Sequence, residues 1–178
     1  MKRIVSIMTA LMVAATMSFA VFGQDIHAAG PAPIGIGQAK AIALGNAHLT
    51  SGKVRYFEAE YDGEDQVYEL EFTKKKNRAE YDYEIDAFTG KILKKSIDYR
   101  YKAKRSGKKI GAKKATKKVA KYLKMKTSTV RSGTCTYEPR KRGARYEVRF
   151  MTNNYNYEVE VLARNGQIIE MDCESITR

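Results

Sequence analysis

Side chains able to do covalent chemistry are few in this sequence. Hydrolytic catalysis needs a nucleophile beside a positioned base, or a metal with an open coordination position. The histidines are His27 and His48 and the cysteines Cys135 and Cys173. His48 stands just beyond a helical pattern with no histidine, cysteine or paired carboxylate close by, and reads as a cap or a surface group. Gly35-Ile36-Gly37 precedes the same pattern but lacks a preceding strand and the further glycines of a phosphate cradle, so it reads as a flexible lead into the helix. Asp62-Gly63-Glu64-Asp65 is acidic enough to attract calcium, yet without the remaining ligand spacing it reads as a solvated hairpin turn. No catalytic residue, metal ligand or cofactor is expected, and the chain reads as a non-enzymatic binding protein.

Segregated charge is the stronger signal. The formal net charge is +13, but Pro31 to Asp98 carries ten Lys/Arg against twelve Asp/Glu, while Tyr99 to Arg178 carries twenty-one against seven. Either the halves attract each other or the second meets an anionic partner. In the first half Glu58, Glu60, Glu69, Glu71, Glu80, Asp82, Glu84 and Asp86 alternate with apolar residues, which predicts one acidic strand face. Like charges opposed across strands repel. The face is therefore either hydrated and screened by salt or a candidate surface for a basic partner. In the second half Lys108, Lys109, Lys113, Lys114, Lys117, Lys118, Lys121 and Lys124 gather on or beside a helical pattern. Lysines four apart destabilise an isolated helix, so packing must hold it, and the set is the candidate anion-binding site. Anionic cell-envelope polymer or lipid headgroups suit that charge. Nucleic acid suits it electrostatically, but export argues against it, and a solvated helix face is the plain alternative.

The elements that must position these charges follow from periodicity. Ala39, Ile42, Ala43 and Ala47 make a narrow helical stripe. Val54 to Tyr61, then Tyr68, Leu70 and Phe72, then Tyr81, Tyr83, Ile85 and Ala87, read as strands, and Lys91 to Asp98 as the return strand after Phe88-Thr89-Gly90. The second half repeats the order. Ile110, Gly111 and Ala115 match Ile34, Gly35 and Ala39, and Tyr157 to Ile168 matches Tyr81 to Ile92 at the same offset. The strand Tyr146 to Phe150 matches Tyr68 to Phe72. Its helix should turn Ala112, Ala115, Val119, Tyr122 and Leu123 inward. The expected fold class is α+β, two repeats of one helix packed on a four-stranded antiparallel meander sheet, with halves too small to bury a generous core alone.

Lys2 and Arg3 ahead of the apolar run Ile4 to Phe22, followed by small residues, have the order of a secretory signal. Cleavage is placed after Ala28, with Ala20 or Gly23 as alternatives and an uncleaved anchor as another. The expected division is a signal peptide over 1–28, a first domain over 31–99, a basic linker over 100–107 and a second domain over 108–178. A secreted or envelope location follows, with no transmembrane segment after cleavage. Export would also let Cys135 and Cys173 form a disulfide, with two inert buried thiols as the alternative.

These residues resemble the PepSY family. Ile34, Ala39, Ile42, Ala43, Ala47 and Leu49 are similar to its helix signature, and Tyr68-Glu69-Leu70-Glu71-Phe72 to its central strand. Tyr83 to Leu93, with its Ile85-Asp86-Ala87 and turn Gly90, is similar to its most distinctive stretch. In the second copy Leu162 replaces the family's Asp, which marks a diverged domain. The resemblance implies an exported module, common in propeptides of thermolysin-type metalloproteases, that inhibits or chaperones a secreted peptidase or other exported enzyme. Its motif residues look structural, and fold does not fix function.

Overall fold

The structure is a computed structural model and describes residues 31–100, 109–140 and 143–177. The signal segment 1–28, linker residues 101–107 and Lys108 lie outside the described residues. The chain runs α1 (Ile36–Asn46), β1 (Val54–Asp62), β2 (Val67–Lys74), β3 (Glu80–Asp86) and β4 (Ile92–Asp98). It continues with α2 (Ala112–Tyr122), β5 (Ser132–Glu138), β6 (Arg145–Met151), β7 (Tyr155–Leu162) and β8 (Ile168–Ser175).

The expectation of two repeats, each with a four-stranded sheet of its own, is overturned. The strands form one eight-stranded antiparallel sheet in the order β1-β2-β3-β4-β8-β7-β6-β5. The decisive pairing is β4 with β8, from Lys94 opposite Glu174 to Asp98 opposite Glu170. The Tyr99 N–H continues it, donating to the Ile169 carbonyl at 2.8 Å. Two separate meanders would each leave a bare β4-type or β8-type edge with unpaired backbone groups. Pairing the two edges satisfies those groups and merges two small cores into one.

The merged core is visible as a row. Phe72, Tyr81, Ile97, Met171, Val159, Val148 and Cys135 stand opposite one another through seven successive strands, and all but Cys135 are buried. Period-two alternation puts them on one face. There Phe72 stacks on Phe57 and Tyr81 with centroids 5.0 and 5.1 Å away. Both helices cover this face, α1 over β1 and β2 and α2 over β5, β6 and β7. Each helix buries alanine at its closest approach, Ala39 and Ala43 in α1 and Ala115 in α2, with Val119 beside the latter. Of the inward stripe expected for α2, Ala112 and Tyr122 are instead exposed.

The turn after β3 is locked under α1. Asp86 Oδ1 accepts from the N–H of Phe88 (3.1 Å) and Thr89 (2.7 Å) and from Thr89 Oγ1 (2.7 Å), and the Ile34 N–H donates to the Ala87 carbonyl at 2.7 Å. Gly90 has φ +71°, and a Cβ there would lie 2.9 Å from Ile42 Cδ1. Gly90→Ala therefore adds backbone strain to a steric clash and should lower stability by about 1–3 kcal/mol in urea denaturation. A change within about 0.5 kcal/mol would contradict this packing.

Candidate functional site

The face opposite the helices carries the acids. On one row Glu58 stands beside Glu71, Glu71 beside Asp82, Asp82 beside Ser96 and Ser96 beside Asp172, with Glu158 and Arg149 next. On the neighbouring row Glu60 stands beside Glu69, Glu69 beside Glu84, Glu84 beside Lys94 and Lys94 beside Glu174. The same alternation that buries Phe72 and Tyr83 turns Glu71 and Asp82 outward. Glu58, Glu60, Glu69, Glu71, Asp82 and Glu84 converge on an open depression of about 540 Å³, with Lys94 and Ser96 on its β4 side.

Three members of the expected acidic set behave differently. Glu80 is on the face but pairs with Arg100 at 2.5 Å. Asp86 sits at the strand end, where its carboxylate caps the turn. Glu84 pairs with Lys94 at 2.8 Å. Glu58, Glu60, Glu69, Glu71 and Asp82 have no ion-pair partner among the described residues.

Sequence reasoning missed the far half of this face. Glu147, Glu158, Glu160, Glu170, Asp172 and Glu174 extend it across β6, β7 and β8, hidden in the sequence by that half's large positive balance. Arginines counter several of them. Arg149 bonds Glu158 at 3.1 and 3.2 Å and pairs with Glu147 at 2.9 Å. Arg145 pairs with the buried Glu160, and Arg140 reaches both Glu138 (2.7 Å) and Glu160 (3.5 Å). The face thus grades from bare carboxylates over β1–β3 to a carboxylate–guanidinium network over β6 and β7.

The lysine set lies mostly on α2. Lys113, Lys114, Lys117, Lys121 and Lys124 are exposed, and Lys118 is half-buried above Gly166. Lys109 belongs with the sheet, its Nζ 3.1 Å from the Tyr137 ring centroid. Cys135 and Cys173 are both free. They lie on β5 and β8, three strand spacings apart, or about 14 Å, whereas a bridge needs α-carbons within about 7 Å, so of the two alternatives the sequence left open the disulfide is not formed. Burial pushes the Cys173 thiol up to about 11, which leaves it protonated and unreactive near neutrality.

A second concavity, of about 360 Å³, opens between the C-terminal ends of the helices above β4 and β8. His48, in the left-handed region at φ 54°, caps α1 there through its N–H to Gly45, 3.1 Å. Lys95 stands opposite Cys173 and donates to Asn46 Oδ1 at 2.7 Å. Burial holds its amine below the usual lysine range.

Among the described residues no group of three or more ligating side chains is placed to hold a metal ion, and no helix is long and apolar enough to cross a membrane. Residues 33–95 match the family described as PepSY, peptidase propeptide and YPEB domain. Residues 33–95 are a PepSY domain. It supplies α1, β1–β3 and the start of β4, and with them the bare acidic depression. The matched stretch includes Asp86, the turn cap described above. No curated protein matches the chain. Among solved structures, the Bacillus megaterium YpeB C-terminal domain is 14% identical, covering 83% of this chain and 100% of that one at a TM-score of 0.37. A Clostridium difficile 630 protein described as a lipoprotein is 15% identical, covering 80% and 93% at a TM-score of 0.29.

The crowded carboxylates of the PepSY domain and its neighbouring strands have a pH signature. Burial, then Glu71, Glu80 and Asp172, hold the Asp82 carboxyl above its ordinary range. Burial does the same at Glu170, helped by Asp172 and Asp98, and at Glu147, helped by Glu158. A carboxyl raised in the folded state binds its proton more readily there than in the unfolded chain. Its stabilisation is full below the ordinary carboxylate range and is lost as pH rises through the raised values. The thermal midpoint should therefore rise as pH is lowered from about 7 to about 5, and added salt should flatten the rise. A midpoint that falls steadily over that interval would contradict the assignment.

Proposed function

We propose that this chain is an exported, non-catalytic binding module that modulates a secreted peptidase or another exported enzyme, docking a basic patch of that partner on the acidic face of its PepSY domain. The supporting observation is the set Glu58, Glu60, Glu69, Glu71 and Asp82, unpaired and gathered on one concave surface. Folding alone gains nothing from this arrangement. Glu58 opposite Glu71, Glu60 opposite Glu69 and Glu71 opposite Asp82 each cost on the order of a few tenths of a kcal/mol or more. A cationic partner offsets that repulsion, gains a fast, salt-sensitive association and is selected over acidic competitors.

A second reading keeps the chain at the envelope through anionic polymer. Exposed Lys113, Lys117 and Lys121 form one row of α2 on the far side of the sheet from the acids. Charge of one sign on each side allows both contacts at once.

The quadruple variant Glu58→Gln, Glu60→Gln, Glu69→Gln, Glu71→Gln separates binding from folding. Relief of repulsion should raise its stability by about 0.5–2 kcal/mol, while affinity for a co-secreted peptidase, read by surface plasmon resonance, should fall by about tenfold or more. Unchanged affinity in a well-folded variant overturns the acidic-face reading. For envelope retention, moderate salt should elute the wild-type chain from cell envelopes, and elution insensitive to ionic strength counts against it.

A further inference from the structure

The two edges of the sheet are built differently. β1 is guarded, with charged Arg55, Glu58, Glu60 and Asp62 along it. Its register with β2 shifts between Arg55 and Glu58, where Tyr56 adopts φ 51°. Charge and a bulge are the usual means by which a sheet refuses a further strand. β5 has neither. No side chain from Ser132 to Tyr137 is charged, and its pairing with β6 runs unbroken from Ser132 to Glu138. Its outer side presents a straight row of backbone donors and acceptors that no described strand pairs.

Beside this open edge lies an apolar groove of about 360 Å³ between α2 and β5, lined by Val119, Met125, Val130, Cys135, Val148 and Phe150. Val130, at the mouth, is 37% exposed. The rim is cationic. Lys126 lines the groove beside Thr116 and Ala120 of α2. Lys109 lies over Tyr137 at the other end of β5.

We infer that the β5 edge receives an extended segment of a partner polypeptide as a ninth, antiparallel or parallel strand. Every second side chain of that segment is apolar and enters the groove, and acidic residues flank it to meet Lys126 at one end of β5 and Lys109 at the other. Backbone pairing supplies affinity, and the groove and rim supply selectivity. A second copy of this chain is the poorer occupant. Pairing β5 with β5 would bring the Lys109 and Lys126 ends of two copies to one edge, like charge against like charge. The proposal concerns a different surface from the acidic face and stands or falls separately from it.

The test uses the full chain and a fluorescein-labelled decapeptide in which valine alternates with threonine between paired terminal aspartates, followed by fluorescence anisotropy. A second peptide has the same side chains but N-methyl groups on alternate amides, which removes backbone donors without changing apolar content. The unmodified peptide should bind and the N-methylated form should bind at least about tenfold more weakly, since several hydrogen bonds are lost. Val130→Asp should weaken binding by a similar factor, and Tyr61→Asp at the guarded edge should leave it unchanged. Absence of binding, equal binding of both peptides, or a loss confined to Tyr61→Asp overturns the inference. So does a dimer in sedimentation velocity that Val130→Asp abolishes.

Discussion

Five residue pairs between β4 and β8 hold the architecture together. They convert two potential sheet edges into interior strands, place Ile97 against Met171 in the core, and leave β1 and β5 as the outer strands. Without that ladder each half would have to close about 70 residues around a core of its own, at a size where burial is marginal. The acidic rows depend on it as well. Asp82 reaches Asp172 through Ser96 only because β4 and β8 share a register, and Asp172 is among the charges that hold the Asp82 carboxyl up.

Alternation across one continuous sheet then separates charge by face. The row through Phe72, Ile97 and Val148 meets the helices, and its neighbour through Glu71, Asp82 and Glu158 faces away from them. The lysines of α2 lie on the covered side, beyond the helix. A chain with a net charge of +13 therefore has one strongly acidic surface, and net charge alone is a poor guide to what it can bind.

Much of this was legible in the sequence, for identifiable reasons. The strands around Tyr68, Tyr83, Tyr146 and Val159 alternate cleanly, and Ala39 and Ala43 mark the helix face that approaches the sheet. The convergence of Glu58, Glu69 and Asp82 follows from that alternation alone. The joining of the halves was not legible, because the β4–β8 pairing is a contact between segments more than 70 residues apart and no local period encodes it. Strand β5 was obscure for another reason. Ser132-Gly133-Thr134-Cys135-Thr136 lacks an apolar alternation, since its outer neighbour is absent and the positions on the helix side are Gly133 and Cys135, opposite Phe150 and Val148. Asp86 was grouped with the outward strand carboxylates because a turn cap and such a carboxylate look alike until the hairpin geometry is known.

Native-state hydrogen exchange across β4 and β8 tests the joined sheet most directly. The amides of Ile97 and Met171 should exchange only through global unfolding, with protection equal to the free energy of a single cooperative denaturant transition. Two separate transitions, with those amides exchanging as freely as the sheet's outer strands, would mean that the halves fold apart and that the β4–β8 ladder does not hold the molecule together.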